Sequence, residues 1–169
     1  MSAQADDGLE IERVWLLKSV PPLEDLHPKV LEIEQGYLPN NAASGAEGRV
    51  RRIHLPCGET RFYHTIKRGL GLVREETERE LSAVEFDALW AETARRRLRK
   101  RRSQVQVSDL VWEIDEFLDH PLVLAEVELP NETYDVQVPA WLEPHIEREV
   151  TEEPAFRNYH LACSALPGA

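Results

Sequence analysis

The sequence predicts an α+β domain made mostly of antiparallel strands, and three observations support this class. Eight segments carry a two-residue side-chain period at strand length. Short stretches rich in Pro, Gly, Asn or Ser separate several of them, and only one segment carries a full helix-start signal. In chain order the strands fall at 10–17, 30–38, 49–53, 61–67, 72–81, 97–107, 110–118 and 122–129. PCGET at 56–60 supplies a hairpin turn, while 19–28, 39–48 and His120 with Pro121 read as loops. Ser82 and Glu85 form a capping box ahead of Phe86, Leu89 and Trp90 on one helical face. A second helix is expected to start near Thr151 and carry Phe156, Tyr159 and His160. Residues 1–8 are small and polar and read as a disordered leader, which leaves 9–169 as a single domain.

Composition narrows the function classes. The chain has 169 residues, enough for one sizeable core, and 42% hydrophobic content excludes wholesale disorder. Apolar runs stop at four residues, too short for a membrane span or a signal-peptide core. A net charge of −11 argues against a general nucleic-acid or anionic-lipid binder. Cys57 and Cys163 have no metal-ligand or CxxC spacing and read as reduced thiols of a cytoplasmic protein. Six scattered histidines lack HxH or HxxxH spacing, and no P-loop or GxSxG elbow is present. Trp112 and Trp141 read as packing residues.

What alternates is charge. Glu10 and Glu12 share one strand face opposite Ile11 and Trp15, and Glu113 and Asp115 oppose Trp112 and Ile114. Glu126 and Glu128 oppose Val123, Ala125, Val127 and Leu129; Arg49 and Arg51 straddle Val50; Arg74, Glu76 and Glu78 share one parity. Ordinary sheet amphipathicity, with charges facing water, explains any one of these strands. However, the charged pairs are little diluted by Thr, Ser or Gln, and like charges side by side are unfavourable. Two carboxylates about 7 Å apart repel by ~0.6 kcal/mol in water and several-fold more in a confined cleft. The other reading is an inside-out barrel whose charged side lines a tunnel. Its acids would be Glu10, Glu12, Glu76, Glu78, Glu113, Asp115, Glu126 and Glu128; its cations would be Arg49, Arg51, Lys67, Arg74, Lys100 and Arg102. Such a mixture suits a polyanion gripped by the bases together with hard cations on the carboxylates, Mg²⁺ or Mn²⁺.

Nine short strings in order carry a family resemblance: EIER (10–13), IEQGYL (33–38), RVRR (49–52), TIKRG (65–69), REETE (74–78), RKRR (99–102), WEIDEF (112–117), LAEVEL (124–129) and EVT (149–151) with Asn158 following. The chain resembles the CYTH superfamily, or triphosphate tunnel metalloenzymes, over nearly its whole length. The resemblance implies an antiparallel eight-stranded β-barrel with a charged interior and helices packed outside. It also implies metal-dependent hydrolysis of inorganic tripolyphosphate or of a small organic or nucleoside triphosphate. Metal ligands would be Glu10, Glu12, Glu126 and Glu128, with Glu76, Glu78, Glu113 and Asp115 as further tunnel acids. Arg49, Arg51, Lys67, Arg74, Lys100 and Arg102 would grip the phosphates; Glu10, Glu12, Lys67 and Arg74 would serve catalysis. Small members of the family are often homodimers.

One position departs from the family. The first-strand motif is ExExK, its lysine lying near the metal and the attacking water, and here that position is Val14. Lys18 shares the parity but lies roughly 13 Å further along an extended strand. The departure keeps open a polyphosphate or triphosphate binder without turnover. Two further alternatives are a class IV-type adenylate cyclase and a nucleic-acid binder acting through residues 95–102 (RRRLRKRR). Alternation puts Arg96, Leu98, Lys100 and Arg102 on one face, so part of that run can enter the tunnel.

Overall fold

The computed structural model describes residues 6–39 and 46–164. Its strands are Asp6–Leu17 (β1), Lys29–Tyr37 (β2), Ala46–His54 (β3), Thr60–Arg68 (β4), Val73–Leu81 (β5), Arg97–Val107 (β6), Leu110–Phe117 (β7), Val123–Glu128 (β8) and Ile146–Glu149 (β9). The first eight close an antiparallel barrel in the order β5-β4-β3-β2-β6-β7-β8-β1, with β1 pairing back onto β5. β1 closes it because it is long: Asp6–Ile11 pair with β5, and Glu12–Leu16 pair with β8 on the other edge. Past Ile11 the β5 edge of β1 is taken over by β9, which pairs with Trp15–Leu17.

Alternation resolves as an inside-out barrel. The outward face of β1, β7 and β8 buries Trp15, Trp112, Ile114, Ala125 and Val127, with Tyr134, Val138 and Trp141 of the following segment packed over it. Complete burial of Trp112 contributes roughly 2–3 kcal/mol. Helix α1, Ala83–Trp90, lies outside the barrel, where Phe86 packs with Val50 and Leu81. Its Ser82–Glu85 capping box is formed in both directions. Gly36 of the IEQGYL string has no room for a side chain, since a Cβ there would lie 2.5 Å from the Thr93 hydroxyl.

The second helix departs from expectation. Thr151 is not helical: its Oγ1 accepts from the Val14 N–H at 3.1 Å, holding the chain against β1. Pro154 then opens only a 3₁₀ turn, and α2 spans Asn158–Cys163. Nor does α2 pack on the outer face. Ala162 and Tyr159 close one barrel end against the inward-facing Tyr37, Leu98, Phe117 and Leu124. β1 begins at Asp6, inside the polar leader expected over 1–8, of which 1–5 lie outside the described residues. β3 begins inside the expected 39–48 loop, of which 40–45 lie outside them. No helix among the described residues is long and apolar enough to cross a membrane. Cys57 and Cys163 are free thiols.

Candidate active site

The barrel interior holds a central cavity of about 160 Å³, lined by Glu10, Glu12, Arg49, Arg51, Lys67, Glu76, Arg102, Glu113, Glu126, Glu128 and Asn158. It shares Glu12, Arg49, Lys67 and Glu126 with a narrow mouth of about 60 Å³ beside the C-terminal segment. It shares Arg51, Arg102 and Glu113 with a wide mouth of about 410 Å³ at the opposite end. The shared walls make one passage. Arg74 lines the narrow mouth and Glu78 the wide one. Lys100 and Asp115 are sealed in the wall, at 1% and 0% side-chain exposure. Glu128 is exposed at the rim.

Cross-strand register explains the ion pairs. Lys67 of β4 reaches Glu10 with 2.6 and 2.8 Å contacts and also lies 3.2 Å from Glu76. Arg51 pairs with Glu78 at 2.7 Å, and the Thr65 hydroxyl donates to the same carboxylate at 2.6 Å. Arg74 pairs with Glu47 at 3.0 Å. Arg102 is the hub: it contacts both Asp115 oxygens at 2.7 Å, Glu126 at 2.9 Å and Glu113 at 3.0 Å. Asp115 also accepts from Lys100 at 2.8 Å, and Lys100 donates to Asn158 Oδ1 at 3.2 Å.

Two groups stand outside this network. Among the described residues, neither the Glu12 carboxylate nor the Arg49 guanidinium forms an ion pair. Among the described residues the buried Nε atoms of Arg49, Arg51 and Arg74 have no acceptor, so guanidinium capacity remains for an anion. Burial, then the charges of Glu126 and Glu10, push the Glu12 carboxyl well above its ordinary range. Burial and Asp115 raise Glu126, and burial with Glu10 raises Glu128. Burial also acts on Glu10, but Lys67 outweighs it and holds that carboxyl below its ordinary range. Asp115 lies far below its range, because Arg102 and Lys100 overcome the cost of burial.

Glu12 lies directly across from Glu128, and Val14 across from Glu126. Among the described residues no three acidic, His or Cys side chains converge as a ready chelate. Lys67 occupies Glu10 and Arg102 occupies Glu126, which leaves Glu12 and Glu128 facing each other with no ion pair among the described residues. All four are hard oxygen donors with unfavourable mutual repulsion, a set that fits a divalent ion such as Mg²⁺ or Mn²⁺.

The structure agrees with the distance read for Lys18 along an extended first strand. Lys18 is exposed beyond the end of β1 and takes no part in the tunnel. Val14 instead packs beside the Tyr37, Leu124 and Val150 cluster. The basic run divides as its parity indicated. Lys100 and Arg102 point inward, while Arg99 and Arg101 pair outside with Asp119 and Glu32. Sequence reading missed Tyr37, Glu47, Thr65, Gln104 and Arg157. Glu47, Thr65 and Gln104 share strand parity with residues already assigned inward, so their signal was there, whereas Tyr37 lies on β2, which carries none of the assigned tunnel residues. Arg157 lies outside any strand and had no period to read.

No protein-family model matches the chain. Over 159 residues it is 35% identical to an inorganic triphosphatase of Nitrosomonas europaea, covering 92% of this chain and 97% of that protein. An inorganic triphosphatase of Acetivibrio thermocellus is 35% identical over 103 residues, covering 59% of this chain and 64% of that protein. The crystal structure of an inorganic triphosphatase superposes with a TM-score of 0.63 at 30% identity, covering 94% of this chain and 97% of the other. A Pyrococcus horikoshii protein shares the fold at a TM-score of 0.57 and 16% identity, over 73% of this chain and 80% of its own.

Proposed function

The chain belongs to the inorganic triphosphatases of the CYTH-like triphosphate tunnel family, and from that premise we propose that its tunnel hydrolyses inorganic tripolyphosphate. The observation that carries this reading is Arg49: a buried guanidinium that forms no ion pair among the described residues, at the point where the central cavity meets the narrow mouth.

Arg49, Arg51 and Arg74 bind the phosphate chain through their unsatisfied Nε–H groups. Lys67 and Arg102 add charge on either side of the central cavity and offset what develops on the leaving oxygens. Glu10, Glu12, Glu126 and Glu128 would hold the divalent ion. When bound, that ion would polarise the phosphoryl oxygens as a Lewis acid. The carboxylates also orient a water in line with the terminal phosphorus. Its oxygen bonds to phosphorus, the anhydride P–O bond breaks, and the products are orthophosphate and pyrophosphate. Asp115 is too deeply sealed to touch substrate; it holds Lys100 and Arg102 in place.

A second reading, triphosphate binding without turnover, is favoured by Val14, which brings a methyl-lined wall where the family has a cation. Phosphate release from tripolyphosphate with Mg²⁺ or Mn²⁺, abolished by chelator and restored by the metal, is the expected result. Binding seen by calorimetry in the same sample, with no phosphate released, would select the second reading.

A further inference from the structure

We propose that Arg157 is a substrate-binding residue that takes the outermost phosphate of an inorganic triphosphate at the narrow mouth, supplying there the cation that Val14 does not. The proposal rests on the triphosphate reading of the tunnel and adds to it a residue from outside the barrel.

The C-terminal segment is fastened on both sides of Arg157. Val150 N–H donates to Val14 O at 2.8 Å, and Val14 N–H donates to the Thr151 hydroxyl at 3.1 Å. Glu152 packs so closely on the β4–β5 turn that a Cβ at Gly71 would lie 2.6 Å from its carboxylate, and Gly71 is itself at φ +79°. On the far side, Asn158 accepts from the buried Lys100. Arg157 is thereby carried over the opening and lines the narrow mouth with Val14, Arg49, Lys67 and Arg74.

Arg157 is half-buried and, among the described residues, forms no ion pair and no side-chain hydrogen bond. Burial and the like charge of Arg74 act against its charged form; of the counter-charges that favour it, Glu47 and Glu152, the first is already 3.0 Å from Arg74. Bringing a second guanidinium to one partly dry opening beside Arg74, whose partner Glu47 is already engaged, is unfavourable. A polyanion emerging from the tunnel offsets that cost, and its terminal phosphate presents the oxygens that a planar guanidinium fork grips. Val14 and Arg157 therefore line the same mouth.

The test is calorimetric titration of tripolyphosphate into the wild type, Arg157→Gln and Arg157→Lys, with Arg101→Gln as a surface control for lost charge. Arg157→Gln should weaken binding roughly ten- to a hundred-fold, the loss of one charge-assisted contact. Arg157→Lys should recover much of it, and Arg101→Gln should change nothing. In steady state the loss should appear in KM rather than kcat, and Val14→Lys should restore affinity to Arg157→Gln. Arg157→Gln binding as tightly as Arg101→Gln would overturn the proposal. Weakened binding in a protein that never releases phosphate would sink the hydrolase reading and leave Arg157 standing. A wild type that binds no tripolyphosphate would overturn both.

Discussion

Replacing Arg102 by methionine removes the cation on which three carboxylates depend. Arg102 is 10% exposed and contacts Asp115 twice, Glu126 once and Glu113 once, at 2.7–3.0 Å. Only Lys100 would remain, and it reaches Asp115 alone. Breaking a buried ion pair by deleting one partner costs about 3–5 kcal/mol. Protonation limits the loss, because neutralising a carboxyl of ordinary pKa at pH 7 costs only ~3.7 kcal/mol. The expected destabilisation is therefore about 3–4 kcal/mol at pH 7. Its pH dependence follows from sign. Without Arg102 the folded-state pKa of Glu126 rises further above its unfolded value, so the penalty applies above that unfolded value and fades as pH falls. Asp115, held low in the wild type, keeps its stabilising contribution until far more acidic pH. The wild-type–variant gap should thus shrink to about 1 kcal/mol at pH 5. Urea unfolding followed by tryptophan fluorescence, in chelator, at pH 5 and pH 7 measures both gaps. A loss below about 1 kcal/mol at pH 7, or equal gaps at the two pH values, would refute the reasoning.

Glu12→Gln should separate stability from catalysis. Its raised pKa marks a charge that penalises the folded state above the ordinary carboxylate range. The metal-free variant should therefore gain about 1 kcal/mol at pH 8 and nothing at pH 4, by urea unfolding, while phosphate release falls roughly a hundredfold. Ser82→Ala breaks both arms of the capping box and should cost about 1 kcal/mol in the same unfolding assay, with turnover unchanged, because α1 lies outside the barrel.

Strand parity alone assigned the charged residues to one face, and the structure turns that face inward. Parity is local: it follows from the two-residue pleat, and Glu10, Glu12, Arg49 and Arg51 obey it wherever their strands lie. The capping box at Ser82 is equally local and was legible for the same reason. The nine ordered strings added the barrel's closure, which no single strand contains. Which charge meets which was not legible. Lys67 meets Glu10 only because β1 closes onto β5 beside β4, and Arg102 collects Asp115 and Glu126 from two further strands. Which residues go unpaired was equally hidden, since Glu12 and Arg49 differ in sequence context little from their paired neighbours. The closing segment around Arg157 carries no period at all: a hydroxyl bond to β1, a proline and a contact with Gly71 place it. The sequence by itself thus determined which side chains share a face. Only tertiary structure decided their partners, because ion pairing depends on distances between strands far apart in the chain.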